Sequence, residues 1–449
     1  MKQQSIGTQG VKTVVFHDNF FAKNAAEHQR AERRAGQVNI MQQLQRWTWF
    51  AAVLVLVACS KDKAIDQPAK LTPFAATLRV QRIWSASVDD KKAVDLRLGL
   101  GIAIDNNRLY AAGHTGDVVA FDLNKGRAQW RTRLKAPLSG GTSAAADLVL
   151  IGSSDGRLFA LRAADGKLRW NVRINGEVLA PPAISERLIA LRTGDGKLRG
   201  LSPADGHELW STEQPVPRLS LRGTARPVIV GNLVLCGFDN GKVVAVNNSD
   251  GSVQWEATVT PPHGRTELER LSDIDSGVLV SGQNVYAVGF QGRVAMLALD
   301  TGQGWWAHEL SSYRGMSMDD EAIYVSTADG EVVALRARTG AEIWRQSVLL
   351  HRGLSEPASI DDAIVVGDFQ GYLHWLDKSS GALAARVSTG KVRISNVPVV
   401  SGNIVVAVND RGQINAYRVS PLKGAPAAKK PTPEPEPAAP TAPAPTESK

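Results

Sequence analysis

The chain has 449 residues, 43% hydrophobic and 21% charged, with 41 Gly and only 6% aromatics, a globular composition weighted towards tight turns rather than long helices. Two cysteines, Cys59 and Cys236, are too few for a disulfide framework, a four-cysteine zinc site or a cysteine-held iron–sulfur cluster. The formal charge of +8 divides into +4 on residues 1–58, where seven Lys and Arg face Asp18, Glu27 and Glu32, and +4 on the remainder, where 45 bases face 41 acids, which argues against a nucleic-acid partner.

Residues 1–40 are of mixed polar character and predict no fold, and Met41 is a better-placed start than Met1. The first recognisable element is the apolar run 47–58, too short for the roughly 20 residues of a spanning helix and suited to the core of a signal peptide, with Arg46 as its positive flank. It ends in Leu56-Val57-Ala58-Cys59, which resembles the bacterial lipobox. That resemblance implies lipidation of Cys59 and, because Ser60 rather than Asp follows, sorting to the outer membrane. The expected organisation is an N-terminal extension and lipoprotein signal peptide over 1–58, a lipidated tether over 59–77, a folded ring over 78–420 and a disordered Pro/Ala-rich tail over 421–449.

A lone strand at 79–88, containing Trp84, precedes a repeat of Gly, nine residues, Gly, three residues, Trp. Six full copies run from Gly116/Gly126/Trp130 to Gly330/Gly340/Trp344; a seventh, Gly371/Gly381, has Ala385 in the Trp position, and an eighth keeps only Gly412. Successive first glycines are 38–51 residues apart, the length of a four-stranded propeller blade. Within a copy, Asp155-Gly156 and Asp165-Gly166 separate short apolar runs, so an antiparallel meander is predicted, with Gly supplying the positive φ of primed hairpin turns. Eight such sheets must close to bury their edges. The eighth copy ends at Val419 without a Trp strand, so the strand at 79–88 should complete it and put Trp84 in the missing place. The fold class is therefore an all-β, eight-bladed β-propeller of four-stranded antiparallel blades, with the period-locked Trp residues packing between blades.

Two departures from the period stand out. The stretch from Trp to the next copy's first Gly is 24–27 residues as a rule but 31 after Trp210 and 37 after Trp255, which places two insertions side by side in the connections into blades four and five. Each mixes Leu with Arg or Asp, the composition of a contact patch with apolar anchors and charged specificity. Catalytic signals are missing: there is no Gly-x-Ser-x-Gly elbow, His-Glu-x-x-His helix or Walker loop, and Asp273-Ile274-Asp275 lacks the remaining positions of an EF-hand calcium loop. No catalytic, cofactor-binding or metal-binding residues are expected.

Two resemblances follow from these residues. The repeat Ala160-Leu161 to Gly166 and Trp170 resembles the blade motif of pyrroloquinoline quinone dehydrogenases, but Cys236 stands alone where those enzymes close their pocket with adjacent cysteines. The segments 219–223, 267–275, 349–352 and 366–375 closely resemble the BamB family, propeller lipoproteins of the outer-membrane β-barrel assembly machinery, or Bam complex. This resemblance, over 59–420, implies a non-catalytic scaffold lipid-anchored in the outer membrane and facing the periplasm. It implies BamA, through its periplasmic POTRA domains, as the partner, with unfolded outer-membrane proteins as a further candidate. The family's contact residues fall on Leu219, Leu221, Arg222, Asp273 and Asp275. The competing readings are a quinoprotein dehydrogenase and a free-standing periplasmic scaffold that binds strands at blade edges.

Overall fold

The computed structural model describes residues 66–88, 100–221 and 224–422. The compact unit that carries the ring begins at Pro68; residues 1–67 form the other unit, of which only Asp66 and Gln67 are described. Cys59, Arg222 and the tail from 423 onwards lie outside the described residues.

Among the described residues, thirty-two strands form eight four-stranded antiparallel sheets. Seven take four consecutive strands each; the eighth is ordered Leu78–Ser87, Gln413–Pro421, Ile404–Val408, Val399–Ser401, so the first strand of the ring is the outermost strand of its last blade. Leu78 lies opposite Pro421 and Ser87 opposite Gln413, in the place the sequence assigned to the closing strand.

The hairpin devices differ from the expectation in one respect. At Asp155-Gly156 and Asp165-Gly166 only the glycine has positive φ (76° and 72°), so these are turns closed by a left-handed glycine rather than primed turns. Type I′ geometry, with positive φ at both central residues, occurs instead between inner and second strands, at Asn106-Asn107 (46° and 59°) and Ala146-Asp147 (50° and 59°).

The second glycine of each copy has a further reason. A Cβ on Gly166 would lie 2.4 Å from the Trp130 ring of the preceding blade, and one on Gly381 2.5 Å from Trp344. Each Trp therefore lies flat on the next blade's glycine, and its indole N–H donates to a nearby turn carbonyl, as from Trp130 to Ala163 (3.0 Å) and from Trp344 to Lys378 (2.7 Å). Trp84 makes the same pair of contacts, against Gly126 and the Leu123 carbonyl (2.7 Å), and thereby seals blade eight to blade one. Eight apolar clusters, each shared by two neighbouring blades, distribute the core around the ring.

Blade seven departs from this scheme. Its outer strand Leu383–Ser388 has Ala385 where the others have Trp, and Ala384 and Ala385 are buried although outer strands elsewhere alternate with exposed residues. The chain preceding Leu78 lies along it: the Thr77 N–H donates to the Ala384 carbonyl (2.9 Å). On the inner side Trp375, the cross-strand partner of Ala385, meets Tyr417 of blade eight edge-on at 6.3 Å.

Candidate functional site

The two insertions occupy 214–227 and 259–278, the connections into blades four and five. In the second, Ile274 is the fixed point: it is fully buried, its N–H donates to the Phe238 carbonyl (3.2 Å), and its side chain rests on Gly237, where a Cβ would approach to 2.4 Å. Alternation along this extended segment turns Asp273 and Asp275 to the other side. The Asp273 carboxylate accepts the N–H of Leu221, so the side-by-side placement inferred from the period is a direct contact. Upstream, the Glu269 carboxylate accepts the N–H groups of Arg265 (2.8 Å) and Thr266 (3.0 Å) while Thr266 Oγ1 accepts that of Glu269, a reciprocal cap that shapes the loop tip. This tip presents Leu268, 65% exposed; the first insertion presents Val216 and Leu219, 43% and 41% exposed.

Beneath these apolar residues lies a buried charged cluster that composition did not reveal. Arg192, at the end of blade three's second strand, pairs with Asp239 of blade four at 2.5 Å, and its guanidinium sits 4.8 Å over the Phe238 ring. Asp273 is completely buried. Its carboxyl is pushed up to about 7, chiefly by burial, against the opposing pull of the Leu221 N–H. The Asp275 carboxyl is pushed up to about 8, by burial and then by the charge of Asp273. Among the described residues, Asp273 Oδ1, Asp275 Oδ1 and two nitrogens of Arg192 have no hydrogen-bond partner. The expected contact residues thus separate: Leu219 is a surface group, Leu221 is half-buried with its backbone held by Asp273, and the two aspartates belong to the floor.

Two other segments that carried the family resemblance, 349–352 and 366–375, converge on blade seven. Arg352 donates from Nε (2.8 Å) and Nη2 (2.7 Å) to Asp368, the same carboxylate contacts His374 Nε2 (3.0 Å), and Arg386 Nε lies 3.2 Å from His374 Nδ1. Burial drives the Asp368 carboxyl up, but the hydrogen bonds from His374, Tyr372 N–H and Arg352 outweigh it and the net displacement is downward. Burial likewise lowers His374. Arg386 was not singled out by any sequence signal; its position directly after the alanines of the seventh copy was the available clue.

Cys236 is fully buried and its thiol is pushed up to about 12 by burial, so it is an inert core residue rather than a nucleophile. Among the described residues no group of three His, Cys, Asp or Glu is disposed to hold a metal ion.

Comparison with known proteins adds to this geometry. A family model described as "Outer membrane protein assembly factor BamB" matches residues 80–140, 114–346 and 328–425. An outer membrane protein assembly factor BamB of Pseudomonas aeruginosa is 45% identical over 373 residues, covering 82% of this chain and 97% of that protein. The crystal structure of BamB from Moraxella catarrhalis superposes with a TM-score of 0.70 at 28% identity, covering 76% of this chain and all of that one. A quinohemoprotein alcohol dehydrogenase from Comamonas testosteroni shares the fold at a TM-score of 0.62 but only 12% identity, with 76% of each chain covered.

Proposed function

The chain belongs to the BamB family of outer membrane protein assembly factors, and on that premise we propose that it is a non-catalytic scaffold of the Bam complex, anchored to the outer membrane through lipidated Cys59 and docked in the periplasm on the POTRA region of BamA. The single observation that supports the docking site is the pair of insertions joined by the Leu221 to Asp273 hydrogen bond, with Leu219 and Leu268 exposed above a buried floor. Exposed apolar anchors on a preorganised loop lose little conformational entropy on binding, which favours them as the centre of an interface. On this reading Leu219 and Arg222 meet the partner, whereas Asp273 acts by holding the first loop in place and Asp275 lies beside it in the floor.

Affinity isolation from detergent-solubilised outer membranes tests the proposal. BamA should co-purify with the native protein and be lost with a Leu219→Ala/Leu221→Ala variant whose thermal melt is unchanged. Undiminished recovery of BamA with that variant would move the docking site elsewhere; isolation of the native protein without BamA would favour a free-standing periplasmic scaffold instead.

A further inference from the structure

The ten residues before the closing strand are built into the ring. Ala69 is held at both its backbone groups: its N–H donates to the Leu350 carbonyl (2.9 Å) and its carbonyl accepts from Arg352 Nη1 (2.9 Å). Leu71 packs into the apolar cluster shared by blades six and seven. The Thr72 carbonyl accepts from Arg386 Nη1 (3.0 Å), and the same guanidinium lies 5.0 Å over the Phe74 ring. Both arginines are braced from behind, Arg352 by Asp368 and Arg386 by His374, so they are presented in fixed positions.

The contacts follow the outer strand of the one blade that has Ala385 in place of the period Trp, and the small side chains of Ala384 and Ala385 permit the close approach. A backbone satisfied by preorganised arginines, an apolar anchor and a strand-like hydrogen bond is a docked segment rather than a passing linker.

We propose that residues 68–77 are a strap that fixes the rim of blades six and seven as the edge of the ring presented to the lipid surface. The proposal rests on lipidation of Cys59. Covalent reach supplies the constraint: at ~3.3–3.6 Å per residue, the nine steps from Cys59 to Pro68 span no more than about 32 Å, so an acylated Cys59 keeps Pro68, and the rim it is strapped to, within that distance of the bilayer. The loops into blades four and five enter two connections further round the ring, so a rim-hung ring leaves them open to a periplasmic partner.

The test has two arms. In solution, trypsin should cut after the exposed Lys70 slowly in the native protein, and at least about tenfold faster in Phe74→Ala and Arg386→Ala, because cleavage requires the strap to lift locally. On vesicles doped with a nickel-chelating lipid, the lipidated protein is given a nitroxide at Ser388→Cys, on blade seven's outer strand, or at Glu213→Cys, at the same place on blade three. The label at 388 should collide with lipid-borne nickel several-fold more often than the label at 213, and Phe74→Ala should bring the ratio close to one while fatty-acid labelling and melting temperature are unchanged. Rapid cutting after Lys70 in the native protein would overturn the strap. Equal collision at the two sites, or a ratio indifferent to Phe74→Ala, would overturn the orientation. A protein with a protected Lys70 that takes up no fatty acid would overturn the anchor at Cys59 and leave the strap standing, so the two failures are told apart.

Discussion

Blade seven and the floor beneath the two insertions both bury charge, and they do so to opposite effect. Asp368 receives hydrogen bonds from Arg352, His374 and the N–H groups of Gln370 and Tyr372, and its carboxyl is held below the usual range. Asp273 receives one backbone N–H, Asp275 shares its surroundings with another carboxylate, and both are driven far above that range. Depth is comparable; the number of donors decides the sign. The first cluster is complete and serves the ring and its strap, whereas the second keeps unpartnered polar atoms beneath the segment proposed to meet BamA.

The largest expected effect comes from breaking the complete cluster. Arg352→Met leaves Asp368 buried without its main counter-ion and should cost about 3–5 kcal/mol in chemical denaturation; a loss below ~1 kcal/mol would show that His374 and the backbone suffice. Next, Arg222→Glu should weaken BamA binding by about 2–4 kcal/mol, mostly through faster dissociation, with the melting temperature unchanged; a comparable loss of stability would place Arg222 in the floor rather than at the interface.

A smaller effect separates the clusters by pH. Asp275 titrates near 8 in the folded chain and near ~4 when unfolded, so the folded state binds the extra proton between these values. Its contribution is then fully present below about pH 4 and is lost as the pH rises through 8. Asp275→Asn should flatten this decline and, in thermal melts, stabilise the protein more at pH 9 than at pH 5, by a difference on the order of 1 kcal/mol; a variant whose stability runs parallel to that of the native protein across that range would show that the floor carries no charge penalty. The smallest effect calibrates the scale outside both clusters: Ala146→Gly relieves a left-handed alanine at φ 50° and should stabilise by about 0.5–1 kcal/mol in the same melts.

The ring was legible because its signals are local and periodic. A Trp four residues after a turn glycine recurs whether or not its neighbour is known, and the orphan Trp84 with the Trp-less eighth copy identified the closing strand without any contact information. The adjacency of the insertions followed from counting. Burial of Asp273 and Asp275 did not, because an Asp-x-Asp loop is compositionally indistinguishable from a solvated one, and only Ile274 between them, gripped by Gly237, shows which way the segment faces. The strap was less accessible still: Ala69 and Arg352 are 283 positions apart and belong to no period, and Ala385 registered as a degenerate repeat rather than as space kept for another segment.

The shared construction of blade eight also orders events in time. Its outermost strand is Leu78–Ser87, which emerges first as the chain is made, while the partner strand Gln413–Pro421 emerges last. Until then the early strand has no neighbour to hydrogen-bond with, and the nascent arc of blades carries two open edges, each a template for pairing with another chain. Completion is therefore all-or-none with respect to the last few residues of the ring. A chain truncated before Gln413 would keep most of its core yet remain unclosed, which makes the unfinished polypeptide the form most exposed to pairing with other chains.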